Sequence, residues 1–284
     1  DPIFATSWML FNLGRDLLVL ENQLPLFVLK KLFQLTSSGE EETCLYKLAL
    51  QFFEPLRPGK DLIAFERVDV EREYPHLLAL FQSSFAPCGH HLFSQKERSN
   101  RYNTFTGKGW ICNAKLLSYA GVKFGKKCGN VLDIEFKNQV LKIPTIFLDD
   151  STMGVLRNLL AYEQCDDTSI EPYITSLVVF FNNILANRDD VAVLKRRGII
   201  RHEQGDDEQV VNFFNSIAKE LVFDMDYCYL GRLIKEINNY SLTKWAKFRL
   251  IFRQVLPRLN YLEIALFNIS LVQIYFMAYQ LNKL

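Results

Sequence analysis

Apolar residues recur at helical spacing through the first 35 residues of the chain, and one proline interrupts them. Pro25 cannot lie inside a straight helix, because it lacks an N–H and clashes with the carbonyl four residues earlier. The residue before it, Leu24, is pushed out of the α region. The pattern therefore predicts a helix, a sharp joint at residues 21–24, and a second helix with Pro25 at its first position.

The polar residues of this joint have a predicted structural role. Asn22 and Gln23 can bond to backbone groups that the helix ends leave open. Glu21 shares a face with Leu17 and Leu24, so we expect a partly buried carboxylate that needs donors or a cation. A buried joint in which Glu21 is hydrogen-bonded for structure is favoured over a catalytic role of its carboxylate.

Between residues 121 and 148 the spacing of apolar residues changes, and in two stretches every second residue is apolar. Alternation at 122–124 and 132–137 predicts two half-buried strands. Residues 141–148 predict a third strand, placed at an edge or bulged because Pro144 cannot donate to a ladder. The expected element is a three-stranded antiparallel β-meander.

Helical spacing covers most of the remaining chain. The predicted helices are 43–53, 73–81, 110–119, 152–164, 174–186, a short one within 189–198, one after 205 and one from about 227. The fold class is thus mainly α, a multi-helix single domain over residues 1–258 with the meander as an insert. Residues 82–109 are polar and predict a long surface loop.

Residues 259–284 form a C-terminal hydrophobic segment, in which residues 261–281 have the length of a membrane span. Asn268 and Gln273 near its middle are costly in lipid. Three alternatives stay open: a membrane anchor, a helix in the interface plane, or an amphipathic helix packed on the domain. The residues before it form a basic cluster, namely Lys244, Lys247, Arg249, Arg253 and Arg258. This positive-inside pattern predicts a membrane-associated domain that faces the cytosol; the alternative is a soluble cytoplasmic protein.

Composition and charge narrow the functional classes. A hydrophobic fraction of 49% is typical of a globular protein, and 23 Phe residues predict an aromatic core. A net charge of +1 predicts no nucleic-acid partner. Six cysteines without a C-x-x-C pair predict reduced thiols. The missing initiator Met predicts a fragment of a longer protein.

Sequence motifs of catalysis or cofactor binding are absent, including phosphate-loop, dinucleotide and nucleophile-elbow patterns. Cys88, His90 and His91 lie within four residues, but zinc prefers ligand pairs from two separate segments. We therefore predict no catalytic residue, no cofactor and no metal, and identify no small-molecule substrate. A Cys/His nucleophile pair formed in space stays an open alternative.

The helix predicted at 152–164 carries polar residues that an apolar face does not explain, namely Arg157, Asn158, Glu163 and Gln164. We hypothesise that Arg157 or Asn158 reaches the joint at residues 21–23. A buried Arg157–Glu21 pair would cost about 3–5 kcal/mol to break from one side. The alternative is that the polar groups of each segment form their hydrogen bonds within that segment.

Five segments stand in order along the chain: LENQLPLFVL at 20–29, AGVKF at 120–124, IPTIFLDDSTMGVLRNLLAYEQC at 143–165, DDVAVLKRRGII at 189–200 and GDDEQVVNFFNSIAKE at 205–220. Together they resemble the plant domain of unknown function 247 family. The resemblance implies a plant protein with no established enzymatic activity and a C-terminal membrane anchor. Some family members are linked to self-incompatibility in grasses. The tail here lacks the Pro-Trp pair that the family carries before its apolar run.

Two functions are therefore expected. The first is a non-enzymatic recognition or scaffold protein, membrane-associated through its C-terminal segment, that presents residues 82–109 to an unknown protein partner in cell–cell recognition such as self-incompatibility. The alternative is an uncharacterised soluble, hydrolase-like enzyme that uses Glu21, Glu163 or a cysteine. In the first case the two signature segments, residues 20–25 (LENQLP) and 157–164 (RNLLAYEQ), form one folding unit, and their polar residues serve architecture.

Overall fold

The structure, a computed structural model, describes residues 6–36, 42–59, 68–69, 72–86, 110–165, 172–203, 205–219, 221, 223, 228–243, 246–249, 251, 270 and 272–273. Its helices are α1 (Ser7–Leu17), α2 (Leu26–Thr36), α3 (Glu42–Phe53), α4 (Leu77–Ser83), α5 (Ala114–Ala120), α6 (Asp150–Cys165), α7 (Tyr173–Ile184), α8 (Arg188–Arg196), α9 (Asp207–Ile217) and α10 (Gly231–Ser241). Its strands are β1 (Lys123–Lys127), β2 (Glu135–Lys137), β3 (Val140–Pro144), β4 (Ile146–Leu148) and β5 (Ile200–His202). The fold is mainly α with a small β part, as the sequence predicts.

The helix boundaries follow from groups that satisfy the backbone at each end. The Asn113 side chain accepts a hydrogen bond from Leu116 N at 2.9 Å and begins α5. That helix ends at Gly121, whose φ of 102° favours glycine. At α8, Asn187 and Asp190 form a reciprocal capping box, with backbone-to-side-chain distances of 3.1 and 3.2 Å.

The predicted antiparallel meander is wrong in one of its pairings. β2 and β3 form an antiparallel hairpin across Asn138 and Gln139, whose positive φ angles of 52° and 64° suit a type I′ turn. β1 pairs with β3 in parallel, and the strand order is β1-β3-β2. The first two strands are therefore not neighbours.

The residues between β1 and β2 explain this order. The Asn130 side chain accepts a hydrogen bond from Leu132 N at 3.1 Å, and the Asp133 carboxylate accepts one from Asn130 N at 3.0 Å. These local bonds use backbone donors that a ladder would need. Part of the predicted second strand is therefore a turn, and β2 reaches the far side of β3.

A second, two-stranded sheet was not predicted. β4 pairs in parallel with β5, with α6, α7 and α8 between them in the chain. Thr145 separates β4 from β3 and donates its hydroxyl to Gly198 O at 2.9 Å. Because β5 is only three residues long, periodicity alone does not reveal it.

The core is rich in aromatic rings, as the composition predicts. Phe81 and Phe85 meet edge to face with ring centroids 5.1 Å apart. Phe181 stacks on Phe214 at 5.2 Å and joins α7 to α9. All four rings are fully buried, so apolar burial extends from α4 to α9.

Most residues of the C-terminal segment lie outside the described residues, so the expectations about it stay predictions. Of residues 261–281, only positions 270, 272 and 273 are described. Of the basic cluster, Lys247 and Arg249 are described, whereas Lys244, Arg253 and Arg258 are not. No helix within the described ranges has the length and apolar character that a bilayer crossing demands. The domain boundary at residue 258 stays a prediction.

Gly121 and Gly154 give a matched pair of stability predictions. Gly121→Ala should lower the free energy of unfolding by about 1–2 kcal/mol, because an L side chain at φ 102° is strained. Gly154→Ala should raise it by up to about 1 kcal/mol, because α6 gains helix propensity and a Cβ there meets no atom within 4 Å. Urea unfolding measures both changes. Equal effects of the two substitutions would contradict the left-handed end of α5.

Candidate functional site

The joint between α1 and α2 is built as predicted around two side-chain amides. Gln23 Nε2 donates to Leu17 O at 2.8 Å and to Val19 O at 2.7 Å. Asn22 Nδ2 donates to Asp16 O at 3.0 Å. The bond from Gln23 to Leu17 O satisfies a carbonyl that the end of α1 leaves open, as expected. The Asp16 and Val19 carbonyls also accept backbone N–H groups, so there the amides add a second bond.

The second half of the joint is fixed to α4. Gln23 Oε1 accepts a hydrogen bond from Leu78 N at 3.0 Å, in the first turn of α4. Pro25 forms a backbone bridge with His76 and lies one residue before α2, not at its first position. Leu26 N donates to the carbonyl of the residue before His76 at 2.8 Å. The joint therefore closes onto the N-terminus of α4.

Asn158 connects the joint to α6. Its Oδ1 accepts a hydrogen bond from Leu20 N at 2.9 Å, and its Nδ2 donates to Gly154 O at 2.9 Å. The hypothesis that one of two polar residues of this helix reaches the joint is therefore confirmed for Asn158. The two signature segments touch although 138 residues separate the bonded groups.

The expected pair between Arg157 and Glu21 is wrong. Glu21 is exposed, and the Arg157 guanidinium lies over the Phe213 ring, 5.3 Å from its centroid. Consecutive residues of a helix point about 100° apart, so Arg157 cannot face the joint while Asn158 does. The predicted partial burial of Glu21 is also wrong. That prediction assumes that Glu21 continues the helix of Leu17, but residues 20–22 form a 3₁₀ turn after α1, so Glu21 does not share a helical face with Leu17.

Glu163 forms the most buried polar centre of this region, with a relative exposure of 3%. Its carboxyl group accepts four hydrogen bonds. The donors are Gln82 Nε2 at 2.9 Å, Ile174 N at 2.9 Å, Thr175 N at 2.7 Å and Thr175 Oγ1 at 2.8 Å. Gln164 Nε2 approaches Thr175 Oγ1 at 3.4 Å and extends the network.

Glu163 acts as the missing N-terminal cap of α7. The residue before this helix, Pro172, provides no side-chain cap, and the first-turn N–H groups of Ile174 and Thr175 bond to Glu163 instead. A negative group at a helix N-terminus is also favoured by the helix dipole. One side chain from the end of α6 thus fixes the start of α7 and, through Gln82, the end of α4.

Burial raises the pKa of Glu163 to about 7, and its four hydrogen bonds act in the opposite direction. A carboxylate offers about four acceptor positions, and here donors fill four. The geometry of the group suits structural support better than general-base catalysis.

Cys228, His76 and His202 also have hydrogen-bond partners. Burial raises the pKa of the Cys228 thiol, although hydrogen bonds with Ser176 and two backbone N–H groups lower it. A buried protonated thiol is a poor nucleophile. His76 Nδ1 accepts from Ala79 N at 3.2 Å and caps α4, and His202 bonds to an aspartate.

No group of three metal-ligating side chains is found in the described part of the chain. The Cys88, His90 and His91 cluster lies outside it. The first residues of the expected surface loop at 82–109 are not a loop: α4 runs to Ser83, and Gln82 and Phe85 are buried. Residues 87–109 lie outside the described ranges.

Sequence reasoning missed Gln82 and Thr175. The chain turns polar at Gln82, and this predicts a loop there. The role of Gln82 depends on Glu163, which lies 81 residues away in the chain. One signal was available: an apolar helix that follows Pro172 without a Ser, Thr, Asp or Asn cap needs a cap from elsewhere.

Glu163 predicts a pH-dependent stability. An unfolded carboxyl group ionises near 4.5, whereas the folded group holds its proton to about 7. The folded state therefore binds more protons in this window, and the free energy of unfolding should fall by about 3 kcal/mol as the pH rises from 4.5 to 7. Glu163→Gln should remove this slope and cost about 1–3 kcal/mol at the acid end, because its NH₂ group faces backbone donors.

Urea unfolding across this pH range provides the measurement, and Glu21→Gln is the matched control. This control removes an exposed carboxylate of the other signature segment and should keep the wild-type slope. Parallel pH profiles for Glu163→Gln and the wild type would contradict the assignment.

The chain resembles known plant proteins over almost its whole length. Residues 1–268 match the family DUF247, described as plant protein of unknown function. The UPF0481 protein At3g47200 of Arabidopsis thaliana is 32% identical over 273 residues, which cover 88% of this chain and 56% of the relative. A putative UPF0481 protein of the same plant, At3g02645, is 29% identical over 132 residues, or 45% of this chain and 25% of the relative.

The chain thus spans about half the length of the first of these relatives and a quarter of the second. No solved structure matches it. The family match covers both signature segments and the elements that they connect. This chain belongs to the plant family of proteins of unknown function DUF247.

Proposed function

We propose that this chain is a non-enzymatic recognition module that binds an apolar helix of a partner protein on the exposed face of α2. The observation that carries the proposal is a row of large apolar side chains on that face. Its members are Leu24, Val28, Leu32 and Leu35, which we call the α2 stripe. Their relative exposures are 57%, 37%, 54% and 74%.

The spacing of the α2 stripe is that of a helix interface. Val28, Leu32 and Leu35 follow one another at intervals of four and three residues, which places them on one side of α2, and Leu24 lies in the joint just before the helix. Such rows form ridges that fit the grooves of a second helix. From Val28 to Leu35 the stripe is about 10 Å long, enough for two turns of a partner helix.

Neighbouring helices widen the apolar surface. Phe27 lies beside the stripe, Trp8 and Phe11 are exposed on α1, and Leu48 and Phe52 are exposed on α3. Contiguous exposed apolar area of this kind is uncommon on a monomer and is typical of protein–protein contact sites. The mode of recognition expected here is a helix that docks in a groove.

The absence of enzymatic activity is part of the proposal. Its support is that Glu163, the buried acid of the signature segments, is surrounded by four donors that hold α4 and α7 in place. Glu21 is exposed, and its neighbours in the joint bond to backbone groups. These carboxylates do not converge on a common cleft.

Membrane association and a role in cell–cell recognition, such as self-incompatibility, extend the proposal. Support for a membrane anchor comes from the length of residues 261–281 and from the basic residues before them. Carbonate extraction of membranes from cells that express the full-length protein tests this extension. We expect the protein to stay in the membrane pellet. Recovery in the soluble fraction would contradict the membrane anchor.

The α2 stripe can be tested by charge insertion. Leu32→Asp with Leu35→Asp should weaken capture of partner proteins from plant extract by about tenfold or more, because carboxylates in an apolar interface are strongly unfavourable. Leu242→Asp is the control, since Leu242 is an exposed leucine at the end of α10. Both proteins should keep the thermal unfolding midpoint of the wild type.

A photo-crosslinking residue at position 35 then identifies the occupant. Crosslinks to an apolar helix of another protein, lost with Leu32→Asp, are expected. Crosslinks to a second copy or to residues 252–284 of the same chain would show a different occupant and contradict the proposal. Equal capture by the stripe variant and the control would contradict it as well.

A further inference from the structure

A cleft of about 710 Å³ opens between α5, β1, α8 and the residues after α10. Four cationic side chains line it: Lys123, Arg196, Arg197 and Arg249. No acidic residue is among its lining residues. Because the whole chain carries a net charge of only +1, four like charges on one cleft are a local concentration.

Separate elements bring these cations together. Lys123 begins β1, and its backbone N–H donates to Gln139 O at 2.8 Å, which holds the strand against the β2–β3 turn. Arg196 and Arg197 lie at the C-terminal end of α8, where the helix dipole favours positive charge. Arg249 comes from the short helical segment at residues 246–249. The cleft therefore depends on the tertiary fold and is not a basic run in the sequence.

A hydrogen-bond relay orders one wall of the cleft. Arg249 Nη1 donates to the Tyr240 hydroxyl at 3.3 Å, and this hydroxyl donates to Gln139 Oε1 at 3.1 Å. The left-handed Gly121 makes room for the relay, because a Cβ there would collide with the Arg249 guanidinium and lie 3.0 Å from the Tyr240 hydroxyl. The guanidinium is thus held in place before any ligand binds, which lowers the entropic cost of binding.

Carboxylates in the described part of the chain do not neutralise these cations. Within the described residues, none of the four cations forms an ion pair with a carboxylate, whereas the nearby Arg188 pairs with Asp206 and Glu208, and Lys195 pairs with Asp207. The acid that influences Arg196 is Asp189, and it already bonds to Lys115 Nζ at 2.6 Å. Like charges held this close repel one another unless an anion lies between them.

We propose that this cleft binds a small organic molecule that carries two or more phosphate groups. A single phosphate would leave most of a 710 Å³ cleft empty, and the volume is typical of small-molecule sites. Guanidinium groups match phosphate oxygens in a bidentate way. Val122, Phe124 and Val193 provide apolar contact for a carbon skeleton. The ligand is either free in solution or the headgroup of a phosphorylated lipid.

Two probes test the site and separate its two sources of ligand. Inositol hexakisphosphate, measured by calorimetry, represents the free ligand. Phosphatidylcholine vesicles with a small fraction of phosphatidylinositol 4,5-bisphosphate, measured by co-sedimentation, represent the lipid. Binding to inositol hexakisphosphate but not to the vesicles indicates a free ligand. Vesicle binding that inositol hexakisphosphate competes away indicates a headgroup, and either result supports the proposal.

Charge-removing variants locate the binding. Arg197→Gln with Arg249→Gln should weaken the Kd for inositol hexakisphosphate about tenfold or more, because each substitution removes a charge-assisted contact. Lys219→Gln with Lys235→Gln is the matched control: it removes two exposed charges outside the cleft and should change Kd by about twofold or less. Arg196→Gln with Arg197→Gln gives a second cleft variant that leaves the Tyr240 relay intact.

Thermal unfolding midpoints verify that each variant is folded. Equal weakening by the cleft variants and the control would show non-specific attraction and overturn the proposal. Failure of the wild type to bind either probe would also overturn it. Neither outcome bears on the α2 stripe, which lies on different helices.

Discussion

The buried carboxyl group of Glu163 is the contact on which the arrangement of the central helices depends. It lies at the end of α6 and accepts hydrogen bonds from the first turn of α7 and from Gln82 near the end of α4. Without it, the buried N–H groups of Ile174 and Thr175 would lose their acceptor, and the side chains of Gln82 and Thr175 would each lose one partner. Three helices thus meet through one side chain whose removal leaves several unsatisfied groups.

The second signature segment depends on the same helices. Gln23 bonds to the end of α1 and to the start of α4, and Asn158 of α6 bonds to the joint at Leu20. α4 is therefore fixed at its start by the joint and at its end by Glu163. This geometry explains how polar residues far apart in the chain belong to one folding unit, as the sequence led us to expect. Their hydrogen bonds hold the helices together, and the surfaces that we propose for function are the α2 stripe and the basic cleft.

Local chemistry could be predicted from the sequence, and long-range pairing could not. Pro25 indicates a break, Gly121 a helix end, and the amides at 22–23 a capped joint, because each effect acts within a few residues. The parallel pairing of β1 with β3 depends on how the chain crosses the sheet, which alternation does not encode. For the same reason, the sequence narrowed the contact with the joint to two residues but could not distinguish Arg157 from Asn158.

Both proposed surfaces were hidden from sequence reasoning for the same physical reason. The leucines of the α2 stripe are indistinguishable from core residues until their exposure is known. The four cations of the cleft come from three separate places in the chain, and only Arg249 belongs to the basic cluster that the sequence showed.

Native-state amide hydrogen exchange tests the central claim most directly. The N–H groups of Leu20, Leu78, Ile174 and Thr175 belong to first turns of helices, which normally exchange quickly because they lack backbone partners. Here each donates to a side chain of a signature segment, namely Asn158, Gln23 or Glu163. We predict that all four exchange with the same free energy, that of global unfolding. Exchange of Leu20 and Leu78 at a much lower free energy than Ile174 and Thr175 would show two independent units and contradict the account.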